Sequence, residues 1–451
     1  MKNEIDLVVI GAGAAGLAAA TRLSQAGVNV NVLEARTRIG GRILTVRDPL
    51  HHLPIELGAE FVHGFPPVTW SLIQNHGLQA TEVEGDDWCV EEDGLQRCDF
   101  FSDIRKILQQ MDETKPDESF LSFLRRCGPA TSAKHEHMKE RAIRYVSGFN
   151  AADPERVSVH WLVRDQQAAE KIEGDRSFRL LDGYQNVIEI FQRKLAELGG
   201  TVQMPAIVEK IEWNEGRAVV SGTGKNGAFS IETTRALITV PLGVLQCAPG
   251  SEGAIQFLPV LPNSKREALA KLEIGKVIRV ALVFRKRFWD DVRGQHSHSL
   301  DKMSFLFSGD DYFPTWWTLM PSKAPVITGW APAQSAEKLS GKSEAFVVER
   351  ALLTLSNLLQ VQKSKIEGLL ASAHFHDWQT DPFSRGAYSY AKVGADGAQE
   401  ALASAVSDTL FFAGEAANLS GHDGTVHGAI ESGVRAAGEI LTSMKKQREA
   451  V

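Results

Sequence analysis

Four consecutive apolar residues, Leu7-Val8-Val9-Ile10, lead into an alanine-rich stretch from Ala14 to Ala26, and then into Val28–Leu33, where apolar and polar positions alternate. A short apolar run is the pattern of a strand buried on both faces, and the alternation is that of a second strand, so the chain is predicted to open as strand, helix, strand. Residues 103–146 read as polar, amphipathic helices. A cleaner helix is predicted from Tyr184 to Leu198, with Val187, Ile188, Phe191, Leu195 and Leu198 on one face and Gly199-Gly200 as its stop. Strand patterns follow at Val208–Trp213, Ala218–Ser221 and Ala236–Val240. Lys276–Phe284 is a β-branched run, and strands with scattered helices continue to about Trp378. The chain closes as strand and helix, with Leu410–Ala413 followed by Thr425 to about Leu441. The two ends are alike in kind, which predicts one α/β domain assembled from separated segments with a second domain threaded between them.

Composition adds limits. The 451 residues suggest two or three domains, and 43% hydrophobic with 23% charged residues is ordinary for a globular chain. The net charge of −7, without a basic stripe, argues against a nucleic-acid partner. Cys89, Cys98, Cys127 and Cys247 form no CxxC pair, so neither a disulfide nor a zinc site is expected, and a reducing compartment fits. The apolar stretch from Leu7 to Ala20 follows acidic Glu4 and Asp6 and is broken by Gly11, Gly13 and Gly16, unlike a signal peptide. No stretch is long enough to span a bilayer, and the terminal Arg-Glu-Ala-Val matches no retention or peroxisomal signal, so a cytoplasmic protein is expected. His-x-His pairs occur at His135/His137, His296/His298 and His374/His376, but no third ligand falls at a convincing spacing, and no metal is expected.

Gly11-Ala12-Gly13-Ala14-Ala15-Gly16 sits between the first strand and the first helix. Glycines there permit a tight turn and let a pyrophosphate approach the backbone at the positive end of a helix dipole. The second strand ends in Glu34, eighteen residues after Gly16, where a carboxylate can accept the ribose hydroxyls of an adenosine and would repel an extra phosphate. Arg36-Thr37-Arg38-Ile39-Gly40-Gly41-Arg42 follows at once, and arginines beside a second glycine pair can wrap the pyrophosphate from its other side. This favours FAD over a nicotinamide cofactor.

Further stretches extend the pattern: Glu56-Leu57-Gly58-Ala59-Glu60-Phe61-Val62-His63-Gly64, Thr239–Leu245, Asp381–Tyr390, and Phe412-Ala413-Gly414-Glu415 through Thr425-Val426-His427-Gly428-Ala429. With them the chain resembles, essentially end to end, the FAD-dependent amine oxidases, a group that spans polyamine oxidases, monoamine oxidases and the catalytic domain of lysine-specific histone demethylase. The resemblance implies flavin contacts from Ala14, Ala35, Gly41, Gly58, Ala59 and Gly414, with Glu415 near the ribityl and pyrophosphate and the Val208 backbone near the adenine. Trp378 resembles a tryptophan beside the flavin, and His63 a polyamine-oxidase histidine near the substrate; a core role suits either as well. Ala387 stands where monoamine oxidases carry the cysteine that attaches the flavin, which implies non-covalent FAD.

Period two places Lys276 with Ile278, Val280, Leu282 and Phe284, on an apolar face. By pattern alone, a lysine that begins the strand and reaches back to water explains this. The resemblance implies a different role, a desolvated lysine that holds a water against flavin N5 ahead of Phe288-Trp289. At the last helix it implies that the Val426 N–H meets the flavin N1–C2=O edge, where a helix N-terminus would stabilise negative charge, while Thr425 caps the helix. Tyr388 corresponds to one wall of an amine cage, and Thr425 stands where monoamine oxidases have the opposing tyrosine, so the cage is open on one side.

The expected fold is therefore α/β, a Rossmann-type FAD domain from residues 1–77, 182–272 and 397–451, and a mixed-sheet and helical substrate domain from 78–181 and 273–396. The expected reaction is hydride transfer from the carbon beside an amine nitrogen to flavin N5, giving an imine and then aldehyde, with O2 reduced to hydrogen peroxide. A polyamine or other secondary amine is favoured. The alternatives are a monoamine or L-amino acid oxidase, or a desaturase-like or non-catalytic FAD protein. A chromatin-directed demethylase is less expected, since the long helical hairpin of that family is missing from the sequence.

Overall fold

The computed structural model describes residues 5–127 and 132–449. Glu4 and the terminal Ala450 and Val451 lie outside the described residues, as does the side chain of His135. The opening pattern folds as strand Leu7–Ile10, helix Ala14–Gln25 and strand Val30–Leu33. These strands join a five-stranded parallel sheet in the order Thr201–Gln203, Val30–Leu33, Leu7–Ile10, Arg235–Ile238, Leu410–Phe412. Parallel strands are covered on both faces, which is why the central Leu7–Ile10 and the Leu410–Phe412 strand are continuously apolar. One face packs on helices Ala14–Gln25, Gln185–Glu197 and Val426–Glu449, and the other on the sheet formed by Ala206–Asn214, Arg217–Gly224, Gly227–Thr233 and Gln256–Leu258. The alanines of the first helix have a reason. It crosses the last helix so closely that a Cβ on Gly433 would stand 2.2 Å from the Ala15 carbonyl oxygen. That last helix continues to Glu449, eight residues beyond the expected Leu441.

The middle of the chain supplies a seven-stranded mixed sheet, in the order Leu370–His376, Val277–Phe284, Val326–Pro332, Thr315–Thr318, Met303–Phe307, Asp86–Glu91, Gly94–Arg97. Helices Phe100–Leu108, Phe120–Arg126, Ala133–Gly148 and Val159–Glu170 pack beside it. This is the α/β architecture read from the sequence, a Rossmann-type sheet with a mixed sheet and helices. One pairing runs across the expected domain borders, Phe61–His63 with Ser177–Leu180, and the strand Leu272–Ile274, paired with Ser389–Ala391, straddles the border after residue 272.

One expectation is overturned. Cys89 and Cys98 are joined by a disulfide, although they share no CxxC spacing. They lie on the hairpin Asp86–Glu91 and Gly94–Arg97, whose antiparallel register brings residue 98 back toward residue 89. Only Cys127 and Cys247 are free, so cysteine usage no longer argues for a reducing compartment. Among the described residues no helix is long and apolar enough to cross a membrane.

Candidate active site

A single cavity of about 2020 Å³ runs from the carboxyl ends of the parallel strands into the space beside the mixed sheet. It is lined by Gly11, Gly13, Ala14, Glu34, Ala35, Arg36, Gly41, Arg42, Gly58, Ala59, Val208, Trp378, Gly414, Glu415, Thr425 and Val426 at one end, and by His63, Lys276 and Tyr388 toward the other. Of the sequence-expected residues, Gly16 alone lies behind the wall, where a Cβ would fall 2.0 Å from the Gly11 carbonyl oxygen. Its role is to let the first helix start close against the strand. Gly13, by contrast, has nothing within 4 Å of where a Cβ would stand, and this leaves space at the helix N-terminus for a phosphate.

Every charged side chain at the nucleotide end is already answered by the protein. Glu34, 3% exposed, accepts the N–H groups of Ala12 at 2.8 Å and Arg36 at 2.9 Å, one on each oxygen. This fixes the carboxylate and leaves lone pairs for a ribose hydroxyl. Arg36 pairs with Asp381 at 2.7 Å, Arg38 spends its guanidinium on the carbonyls of Ile39, Gly41 and Ile43, and Arg42 pairs with Glu415 at 2.8 Å and the Ala387 carbonyl at 2.6 Å. These contacts clamp the loop, and they engage Nη2 of Arg36 and Nη1 of Arg42, each one nitrogen of a guanidinium with five N–H donors. Burial, and then the neighbouring Arg36, lower Arg38 to about 10. Glu415 also accepts from Ser389 and from the Gly424 N–H at 3.0 Å, which ties the last strand to the start of the last helix.

Below this end lies an ionic hub that sequence reasoning missed. Glu60 is held by Arg179 at 2.6 Å, by Arg279 at 2.5 Å and by the Trp317 indole at 3.1 Å, all buried, and Arg279 also donates to the Gly58 carbonyl at 2.8 Å. Burial pushes the Glu60 carboxyl up, but the guanidiniums of Arg279 and Arg179 hold it below its ordinary value. The hub locks the Gly58–Ala59 loop onto the mixed sheet. Trp378 adds a second tie, its indole N–H donating to the Leu57 carbonyl at 2.7 Å.

Lys276 stands just before the strand Val277–Phe284, which is buried on both faces, Arg279 included, so neither face of the strand is solvent-facing. Its side chain is 47% exposed toward the cavity and pairs with Glu337 at 2.6 Å. The desolvated lysine implied by the resemblance is not what the structure holds. Tyr388 donates its hydroxyl to the Phe149 carbonyl at 2.7 Å, and Gly424 packs against its ring, where a Cβ would stand 3.1 Å from Cδ2. Thr425 faces the same cavity, but its hydroxyl accepts the Gly428 N–H at 2.9 Å and donates to the His422 carbonyl, a helix cap. His63 meets Phe149 edge to face at 5.4 Å, and burial lowers its imidazole to about 4, so it is neutral at physiological pH.

This arrangement, a glycine-lined cradle opening into an aromatic chamber with a lysine at its side, agrees with the similarity of the chain to known proteins. The profile of the family described as flavin containing amine oxidoreductase matches residues 14–441. The chain belongs to that family. It is 30% identical to lysine-specific histone demethylase 2 of Homo sapiens over 96% of this chain and 53% of that protein. It is 28% identical to polyamine oxidase 4 of Oryza sativa subsp. japonica over 98% of this chain and 90% of that protein. It spans about half the length of the human demethylase and a smaller share, 30%, of an Arabidopsis thaliana one. Among solved structures, putrescine oxidase bound to putrescine superposes with a TM-score of 0.78 at 20% identity, covering 97% of this chain and 99% of that one. Cyclohexylamine oxidase from Brevibacterium oxydans superposes with a TM-score of 0.78, also at 20% identity, covering 98% of this chain and 100% of that one. At such identity these likenesses speak for the fold.

Proposed function

We propose that this enzyme binds FAD without a covalent link and oxidises an amine of the polyamine or other secondary type, with oxygen as the acceptor. The carrying observation is the continuity of one cavity from the Gly11–Gly16 cradle and Glu34 to Tyr388, Thr425 and Lys276. Residues 1–77, 182–272 and 397–451 would hold the cofactor, and 78–181 with 273–396 the substrate. The residues fit the group: space above Gly13, a fixed carboxylate at the ribose position, a helix N-terminus at Val426 that lines the cavity, and Ala387, which has no sulfur to bond the ring. When bound, the flavin supplies an acceptor for hydride from the carbon beside the amine and passes the electrons to oxygen as peroxide.

The chain's own groups do the rest. Tyr388 offers an aromatic face to an amine, with its ring orientation set by the Phe149 carbonyl and Gly424. Neutral His63 can accept a hydrogen bond from the substrate without repelling it. An alkyl ammonium titrates near ~10.4, so presenting the neutral amine at pH 7 costs roughly 4–5 kcal/mol, which burial beside aromatic groups helps to supply. Lys276, paired with Glu337, is positioned to hold a water or a proton at the cavity wall. With Thr425 opposite Tyr388, substituents on both sides of the reacting nitrogen are accommodated.

The purified protein is expected to be yellow, to release FAD on acid precipitation, and to form peroxide faster with free or acylated polyamines than with benzylamine. Lys276→Met should keep the flavin and lose roughly 100- to 10,000-fold in turnover, the range of one proton-handling group. A flavin that stays with the precipitate, or equal peroxide formation from Lys276→Met, would overturn the corresponding part.

A further inference from the structure

Beyond Tyr388 the cavity wall carries hydrogen-bond acceptors that the protein leaves unanswered. Asp423 is 8% exposed; its Oδ2 accepts from the Trp161 indole at 3.0 Å, and its Oδ1 has no partner. Asn150 is 6% exposed; its amide N–H points at Asp165 Oδ2, at 3.4 Å, and its Oδ1 has no partner either. Asp165 lines the same cavity. Among the described residues no lysine or arginine lies within ion-pair distance of Asp165 or Asp423. His422, whose field acts on Asp165, is occupied by Glu431 at 3.1 Å and the Ala168 carbonyl at 3.3 Å.

Buried acceptors without donors are costly, and two carboxylates near each other more so. Burial accordingly pushes Asp165 up to about 7 and raises Asp423 well above the usual carboxylate range, with Glu415 and Asp165 adding to the rise. An ammonium answers all of this at once, with three N–H donors and one positive charge. The reacting nitrogen is a poor occupant, because it must give up its proton before hydride can leave and a carboxylate pair would hold that proton on. A second nitrogen that keeps its charge meets no such conflict. Trp161 beside Asp423, and Phe149 stacked on Tyr145 at 5.2 Å, line the approach with aromatic surface for a methylene chain.

We propose that Asp165, Asp423 and Asn150 form a cation subsite for a second, protonated nitrogen of the substrate, making diamines and longer polyamines preferred over monoamines. The proposal rests on the amine-oxidase reading above and adds the residues that set substrate choice within it.

The test is calorimetric binding of α,ω-diamines and the n-alkylamines of matched length to the flavin-loaded enzyme, alongside kcat/KM for each. At least one diamine should bind roughly 10- to 100-fold tighter than its matched monoamine, the value of one or two charge-assisted hydrogen bonds. Asp165→Asn and Asp423→Asn should each reduce that advantage while leaving the monoamine unchanged. If no diamine length is favoured in the wild type, or if the advantage survives both substitutions, the subsite is refuted. Equal losses for diamine and monoamine refute it too, since they would mean that the carboxylates only support the Tyr388 chamber. Should one variant fail to fold, the other and the wild-type comparison still decide. A wild type that binds diamines selectively but oxidises no amine would overturn the catalytic reading and leave the subsite standing.

Discussion

At the nucleotide end of the cavity Glu34 is answered by backbone N–H groups, Arg36 by Asp381 and Arg42 by Glu415. At the substrate end Asp165 and Asp423 face each other's field with no lysine or arginine paired to them among the described residues. The first end has its charges paired, and it offers a ligand space and backbone N–H groups around Gly13 and the lone pairs that Glu34 keeps. The second end is incomplete and gains its missing charge from what enters. The contrast teaches that the two ends should fail differently: the first when backbone space is filled, the second when side-chain charge is altered.

The largest effect should come from filling that space. Gly16→Val places a branched side chain where even a Cβ would be 2.0 Å from the Gly11 carbonyl oxygen, so the helix must move off the strand. Nearly all bound flavin should be lost, read as the ratio of 450 to 280 nm absorbance on protein whose circular dichroism remains folded. Full flavin occupancy would mean that the cradle is more yielding than its packing implies.

Next comes the hub that joins the two ends. Glu60→Gln leaves Arg179 and Arg279 buried without their shared carboxylate, and should cost about 3–5 kcal/mol in chemical denaturation. The sign with pH follows from its lowered carboxyl: the contribution is complete above the unfolded value of ~4.3 and lost as pH falls through the folded one. Acidification should therefore destabilise the wild type more than Glu60→Gln. A difference that stays constant down to pH 3 would remove Glu60 from the account.

The smallest effect concerns the substrate end. His63 is lowered to about 4 by burial, so the unfolded chain, titrating near ~6.5, binds its proton first on acidification. Stability should decline between those values as pH falls, and His63→Gln should flatten that decline. A kcat profile with an acid limb near 6.5 that disappears in His63→Gln would instead show a histidine that titrates freely.

How far the sequence reaches can be judged residue by residue. Gly11, Gly13, Gly16 and Glu34 are legible because their work is local: a turn, a helix start and a strand end lie within one strand–helix–strand unit, and the periodicity of Leu7–Leu33 sets their geometry. The same holds for Thr425, whose cap needs only the three residues after it. Lys276 shows the limit. Its pattern says that it begins an apolar strand, but its partner Glu337 is 61 residues away and arrives through a helix packed on that strand.

Asp165 and Asp423 carry no local signal at all. The first sits in an amphipathic helix and the second in a loop, and Trp161 reaches Asp423 across 262 residues. Cys89 and Cys98 become a pair through the register of a hairpin, and Glu60 becomes a hub only when strands bearing Arg179, Arg279 and Trp317 converge on it. The sequence by itself determined the strand–helix–strand opening, the glycine cradle and the helix that starts at the cavity, because short-range sterics and hydrogen bonding specify them. Only the tertiary structure decided which charges are answered and which are left open, because burial and counter-charge depend on the segments that packing brings together.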